Sequence, residues 1–266
     1  MTTPSTDNDV RYKRQVAARF SRAADTYDQY ARFQEQVVKA LAPLLRIHAP
    51  QKWLDIGTGT GKGLALLAQQ DIAPDVVALD LSHGMLSKVR EQFNHVPLVC
   101  ADAERLPFQN EVFDGLFSSL AVQWCQRPER LFAELSRVLK NDGEVVLSTL
   151  LRGSMPELGL AWRNVDGRTH HNHYCTLAEL LSQAENAGFK VMFAEQHTMT
   201  SWYPCVKEAV YSLKKVGASF VRGETLRMSP SLWKAFEAEY ETQRVEQGIP
   251  LSYEVALLKL TKVTHG

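Results

Sequence analysis

A glycine-rich turn at residues 54–61 constrains the fold of this chain more than any other stretch. It follows an apolar run typical of a buried strand and reads Leu-Asp-Ile-Gly-Thr-Gly-Thr-Gly. Two later apolar runs lead to acids, Asp80 and Asp102. Because the carboxyl ends of parallel strands meet at one edge of a sheet, the turn and the acids are predicted to line one nucleoside-binding cleft.

The spacing of the glycines excludes the two common phosphate-binding loops. A dinucleotide fingerprint needs glycine where Lys62 or Leu64 stands, depending on the frame. A P-loop needs glycine in place of Ile56 and serine or threonine in place of Gly63. A nucleoside without a pyrophosphate, S-adenosylmethionine, fits better because these glycines need only let the backbone approach a ribose and an amino-acid tail.

Ten residues are predicted to hold this cofactor. Asp80 can accept hydrogen bonds from both ribose hydroxyls and Asp102 from the adenine amine, while the backbone N–H of Ala103 can serve a ring nitrogen. Asp55 is expected to orient the loop or to hold the cofactor's ammonium group. The predicted set is Asp55, Gly57, Gly59, Gly61, Asp80, Leu81, Met85, Asp102, Ala103 and Ser118. Acids at strand ends can also be turn residues, but three at successive strand ends favour the cleft.

Alternating strand and helix patterns predict an α/β fold. Strands are expected at 52–56, 76–80, 97–100, 112–118, 143–150, 189–195 and 253–260. This alternation predicts a mostly parallel seven-stranded sheet with helices on both faces. A capping box of Thr176 and Glu179 predicts a helix that ends before Gly188, and 205–240 is predicted to form inserted helices.

Length and composition limit the class of protein. The 266 residues predict a single domain over 1–266, with N-terminal helices in 1–50, a cofactor-binding core in 51–150 and a helical lid insert in 203–248. Lysine plus arginine total 30 and equal aspartate plus glutamate, so the charge favours neither nucleic acid nor an anionic membrane as partner. The four cysteines form no paired spacing and the first residues are polar, which predicts a cytoplasmic protein.

The glycine loop, Asp80 and the Asp102-Ala103 pair resemble those of class I methyltransferases, which implies a Rossmann-like fold. Residues 20–28, 119–125, 153–158 and 213–218 make the resemblance more specific. Together they resemble the malonyl-acyl carrier protein O-methyltransferases of biotin synthesis, nearly end to end. The resemblance implies methyl transfer to the free carboxylate of a malonyl thioester on an acyl carrier protein, giving the ester that primes pimeloyl-chain synthesis.

That reaction implies substrate-positioning residues and no general base. An ionised carboxylate is already a nucleophile, so its attack on a sulfonium methyl group requires no proton removal. Arg168 is predicted to bind the malonyl carboxylate, and Tyr27 and Trp124 to position the substrate. Trp124 has an equal alternative as a core residue beneath the cleft.

A metal site is the lesser interpretation of the histidine-rich stretch beyond Arg168. Its candidate ligands are His170, His171, His173 and Cys175. Adjacent ligands rarely close one tetrahedral site, and the reaction needs no metal, so we predict none.

Carrier proteins are acidic, so basic residues of the insert are predicted to dock one. The predicted patch comprises Lys207, Lys214, Lys215, Arg222 and Arg227. A solvated helix face is the alternative interpretation of these residues.

Three other functions stay open at this point. The chain could methylate another small molecule, such as a quinone precursor or a free carboxylic acid. It could be a non-catalytic cofactor-binding module, or, more distantly, an NAD-dependent protein. The oligomeric state has no signature in the sequence.

Overall fold

Short apolar runs form the seven strands of one sheet in the computed structural model, which describes residues 7–49, 51–168, 170, 172, 174–218 and 229–263. The order is β3-β2-β1-β4-β5-β7-β6, with β7 antiparallel to both neighbours and the other pairs parallel. The strands are β1 Lys52–Ile56, β2 Asp75–Asp80, β3 Leu98–Cys100, β4 Phe113–Ser119, β5 Leu139–Leu150, β6 Phe189–Tyr203 and β7 Ile249–Lys262. The predicted α/β fold is confirmed.

Helices cover both faces of the sheet. They are α1 Asp7–Ala23, α2 Tyr27–Tyr30, α3 Arg32–Leu41, α4 Lys62–Ala68, α5 His83–Gln92, α6 Pro128–Val138, α7 Pro156–Asp166, α8 Leu177–Asn186, α9 Val206–Lys215 and α10 Pro230–Glu241. Phe117 of β4 belongs to the core shared with α3, α7, α9 and α10, whereas its neighbour Leu116 belongs to the core shared with α6 and α8. Successive strand residues point to opposite faces, so each strand contributes to both cores. Among the helices described, none has both the length and the apolar character needed to cross a bilayer.

The order of the strands reverses between β1 and β4. From β1 the chain crosses over to β2, on one side of the sheet, and from β4 it crosses over to β5, on the other side. This divergence opens a crevice at the carboxyl ends of β1 and β4. The glycine loop follows β1 and Asp80 ends β2, so the topology places both at this crevice.

Three strands are longer than predicted. Strands β6 and β7 pair from Phe189 opposite Lys262 to Tyr203 opposite Ile249, well beyond the predicted 189–195 and 253–260. The outer part of β6 is an exposed, polar edge, so its sequence lacks the apolar alternation that identified the inner part. Strand β5 begins at Leu139 rather than at 143, because three exposed polar residues that read as a turn lie within it.

The helix after Thr176 begins with the predicted capping box: the Thr176 hydroxyl accepts the N–H of Glu179, and the Glu179 carboxylate accepts the N–H of Thr176. Between β6 and β7 the segment 204–248 carries α9 and α10. Helix α10 packs on α7 through Phe236, which stacks on Trp162 with 4.3 Å between ring centroids.

Candidate functional site

The glycine loop bends tightly across the end of β2. The N–H groups of Gly57 and Thr58 both donate to the carbonyl of Leu79, at 2.7 and 3.0 Å. Gly57 has a φ of +70°, and a Cβ on it would lie 2.2 Å from the Cβ of Ala121, in the turn after β4. No side chain fits there, so glycine at this position lets the loop and the turn close one end of the crevice.

Two buried carboxylates hold this loop. Asp80 accepts the N–H of Gly59 on one oxygen at 2.9 Å and that of Ser82 on the other at 2.7 Å. Asp55 accepts the hydroxyl of Thr58 at 2.7 Å. Burial raises the pKa of Asp55 to about 7 and that of Asp80 to about 6, although their hydrogen bonds act in the opposite direction. The two oxygens of Asp80 have about four lone-pair sites in all, so the carboxylate can still accept a hydrogen bond from a ligand.

Asp102 lies in a charged cluster at the other end of the crevice. Its Oδ1 accepts the ammonium of Lys13 at 2.9 Å and the N–H of Glu104 at 3.1 Å. Lys13 also contacts the Glu104 carboxylate. Burial lowers the pKa of Lys13, but Cys125 together with Asp102 and Glu104 outweighs burial and holds it above its usual value. Within the described residues, Oδ2 of Asp102 accepts no hydrogen bond, so it can receive a ligand's donor.

Helix α1 covers the crevice. Phe20 meets Trp124 edge-on, with 5.4 Å between ring centroids and 84° between ring planes. The hydroxyl of Ser21 lies 2.8 Å from that of Ser82 and accepts the N–H of Gly84 at 3.2 Å. A Cβ on Gly84 would lie 2.7 Å from the Cα of Ser21, so this glycine permits α1 to pack directly on α5. The arrangement can hold an elongated polar ligand beneath an apolar cover.

Comparison with known proteins identifies the ligand class. A methyltransferase domain profile matches residues 54–147, which include the glycine loop and both acids of the crevice. The malonyl-[acyl-carrier protein] O-methyltransferase of Marinomonas sp. (strain MWYL1) is 45% identical over 253 residues, and the alignment covers 94% of each chain. The chain belongs to the malonyl-[acyl-carrier protein] O-methyltransferase family. It is an S-adenosylmethionine-dependent O-methyltransferase.

Other relatives agree with this membership. The protein of the same name from Alcanivorax borkumensis is 37% identical over 93% of this chain and 86% of its own length. The biotin biosynthesis bifunctional protein BioHC of Cellvibrio japonicus is also 37% identical, over 94% of this chain and 50% of that protein.

Solved structures share the methyltransferase's fold. The YcgJ protein of Bacillus subtilis superposes with a TM-score of 0.61 at 16% identity, over 87% of this chain and 99% of that one. Phosphoethanolamine N-methyltransferase 2 of Haemonchus contortus, solved with S-adenosylhomocysteine, gives 0.55 at 19% identity, over 86% and 52%. At these identities the similarity concerns the fold alone.

Most residues predicted to bind the methyltransferase's cofactor line the described crevice. They are Gly57, Gly59, Asp80, Leu81, Met85, Asp102 and Ala103. Gly61 and Asp55 lie behind the lining residues, where Asp55 supports the loop. Ser118 is buried and donates its hydroxyl to the carbonyl of Ile56 at 2.8 Å, whereas its neighbour Ser119 lines the crevice. The side chain of Ser118 therefore links β4 to β1 and does not line the crevice.

Two of the three predicted substrate residues line the crevice, and the third does not. Tyr27 and Trp124 line the crevice, and burial raises the pKa of Tyr27, with the charges of Asp80 and Asp28 adding to the shift. Arg168 is exposed after α7, outside the crevice lining, and its N–H donates to Asp166 at 3.0 Å.

Two of the four candidate metal ligands in the histidine-rich stretch, His170 and Cys175, fall within the described residues. The imidazole Nε2 of His170 lies 2.7 Å from a carboxylate oxygen of Asp166, and its ring meets Trp162 edge-on. His171 and His173 lie outside the described residues. Among those that are described, no group of three or more His, Cys, Asp or Glu is arranged to bind a metal ion.

Lys13 is the main site residue that sequence reasoning missed. A signal existed, because Lys13, Val16 and Phe20 are spaced three and four residues apart and share the helix face that lines the crevice. A lysine in an apolar stripe indicates a buried partner. The sequence of the helix does not indicate that these partners are Asp102 and Glu104, which follow β3.

Proposed function

We propose that this methyltransferase transfers a methyl group to the free carboxylate of a malonyl group carried by acyl carrier protein, in biotin synthesis. The observation that carries the substrate is the 45% identity across 94% of both chains, because it extends beyond the cofactor-binding core. Of the additional segments, α1 and α2 line the crevice through Phe20 and Tyr27, and we propose that they and the α9–α10 insert select the substrate.

Residues of the crevice fit S-adenosylmethionine. We assign the ribose hydroxyls to the Asp80 carboxylate and the adenine amine to Oδ2 of Asp102. The loop at Gly57 and Gly59 gives the close backbone approach that the methionine end requires, while Asp55 holds that loop. When bound, the cofactor supplies an electrophilic methyl group on a sulfonium centre.

The residues that surround the methyl acceptor are proposed to orient it and to exclude water. They do not need to remove a proton. A malonyl carboxyl group is ionised at neutral pH and needs no base. A tyrosine is protonated at neutral pH, and the raised pKa of Tyr27 extends this to more alkaline pH, so its hydroxyl can donate to the substrate. Phe20 and Trp124 form an apolar cover, which removes water from a carboxylate and a sulfonium whose charges neutralise each other during transfer.

Arg168 is proposed to bind the malonyl carboxylate of the acceptor. Its side chain is exposed, and a guanidinium pairs with carboxylate or thioester oxygens through parallel hydrogen bonds. Reaching the crevice would require the stretch after α7 to move when the carrier protein docks.

The carrier protein is proposed to dock on α9. Lys207 and Lys214 are exposed there, and the ammonium of Lys215 lies 5.0 Å from the ring centroid of Tyr211 and 5.7 Å from that of Tyr30. Aromatic rings beside ammonium groups suit an acidic helix with apolar anchors. Arg222 and Arg227, the rest of the predicted patch, lie outside the described residues.

A panel of acceptors tests the substrate. Malonyl-carrier protein, malonyl-coenzyme A, free malonate and a phenolic quinone precursor are each supplied with labelled S-adenosylmethionine. The proposal expects the highest kcat/KM with malonyl-carrier protein, and a preference for free malonate or the phenol would contradict it. Transfer to none, together with a Tm raised by S-adenosylmethionine and not by NAD, would favour a non-catalytic module.

A further inference from the structure

Lys13 has no part in the chemistry described above, yet its side chain is largely enclosed. Its side chain is 12% exposed, against 31% for Asp102 and 8% for Glu104, the two acids that it contacts. Lysine is rarely buried without a partner, because an unpaired ammonium loses its hydration. The position of Lys13 is therefore tied to these two carboxylates.

Through Glu104 the cation is linked to a third segment. The same carboxylate accepts the N–H groups of Gln126 and Arg127, at 3.1 and 2.6 Å. These residues directly follow the turn that carries Trp124. Lys13 thus joins helix α1 to the turn after β3 and to the turn after β4, which form three sides of the crevice.

At Asp102 the contact fixes one carboxylate oxygen and leaves the other available. Lys13 and the N–H of Glu104 both use Oδ1. A carboxylate held on one oxygen presents its second oxygen in one orientation. Preorganising an acceptor in this way lowers the entropy lost when a ligand donor binds.

The same helix face carries Phe20, seven residues or about two turns beyond Lys13. Contact at Lys13 therefore helps to hold Phe20 against Trp124.

We propose that Lys13 is a positioning residue for the cofactor. It orients the Asp102 carboxylate toward the adenine amine and seats α1 over the crevice. The inference rests on the proposed binding of S-adenosylmethionine by Asp102 and is independent of the malonyl substrate.

Calorimetric binding of S-adenosylhomocysteine, with no acceptor present, tests the proposal apart from the substrate. Lys13→Met is expected to raise the Kd at least tenfold, and Lys13→Arg to give an intermediate value. The matched control is Lys39→Met in helix α3. The Lys39 side chain is 74% exposed and pairs with Glu35 of the same helix α3. Amide exchange of residues 7–23 in the unliganded protein is expected to be faster in Lys13→Met than in Lys39→Met.

A double-mutant cycle separates positioning from a general loss of structure. If Lys13 acts through Asp102, then Lys13→Met raises the Kd for S-adenosylhomocysteine by a smaller factor in the Asp102→Asn background than in the parent. Additive losses, or parent-like binding by Lys13→Met, would overturn the proposal. If Lys13→Met does not fold, Lys13→Arg decides the question. A threefold or larger rise in the Kd for S-adenosylhomocysteine, in a variant whose Tm equals that of the parent, supports the proposal. A parent-like Kd marks Lys13 as merely structural.

Discussion

The contact between Gly57 and Ala121 permits a quantitative test of how the crevice is built. Carbon atoms in contact lie about 3.5–4.0 Å apart, whereas a Cβ on Gly57 would lie 2.2 Å from the Cβ of Ala121. Gly57→Ala must therefore separate the loop from the turn after β4. Its φ of +70° adds the cost of a left-handed conformation in a residue with a side chain.

The expected magnitude follows from these two effects. The left-handed conformation costs about 1–2 kcal/mol, and overpacking costs about 1–3 kcal/mol more. Gly59→Ala is the matched control, because Gly59 also has a positive φ, +56°, but a Cβ there would have no heavy atom within 4 Å. We expect a loss of about 2–5 kcal/mol for Gly57→Ala and of about 1–2 kcal/mol for Gly59→Ala.

Urea unfolding of the unliganded protein measures both losses. Combining Gly57→Ala with Ala121→Gly removes the clash and should recover the overpacking part, less about 0.5–1 kcal/mol for the added glycine. Equal losses for Gly57→Ala and Gly59→Ala would refute the reasoning. So would a double variant less stable than Gly57→Ala.

Three further predictions concern charge. The raised pKa of Asp55, about 7, gives the unliganded fold a stabilising contribution that is fully present below pH 4 and is lost as the pH rises through 7. The unfolding free energy of Asp55→Asn, relative to that of the parent, should therefore be about 2.5 kcal/mol higher at pH 8 than at pH 5. A difference that does not change with pH would contradict the shift. Arg168→Met should raise the KM for malonyl-carrier protein about tenfold with an unchanged Kd for S-adenosylhomocysteine, while exposed Arg163→Met changes neither; equal KM values would exclude Arg168. Lys214→Glu with Lys215→Glu should raise the KM for malonyl-carrier protein but not for malonyl-coenzyme A, and equal effects on the two would rule out docking.

Much of the fold could be predicted because its signals are local. The glycine loop and Asp80 each stand at the end of a strand whose apolar run is visible in the sequence. The outer half of β6 had no such signal, and the outer end of β7 contains Pro250, a residue that argues against a strand in the sequence. They are held by pairing with each other and by bonds such as those of Gln196 and Thr198 to Glu254, which join residues more than 50 positions apart.

The site was predicted less completely, for reasons of geometry. Ser118 and Ser119 are consecutive, and successive residues of a strand face opposite sides, so a choice between them depends on the exact register. Lys13 reaches Asp102 across 89 positions of sequence, and no periodicity within α1 identifies that partner. Long-range ion pairs of this kind appear only when the helix is placed on the sheet.

The most direct test of the central claim is the position of the transferred methyl group. Labelled S-adenosylmethionine is incubated with malonyl-carrier protein and, in parallel, with the same conjugate whose free carboxyl group is blocked as an ethyl ester. The account predicts label on the malonyl carboxyl group of the first and none on the second. Equal labelling of both, or label on the carrier polypeptide itself, would contradict it.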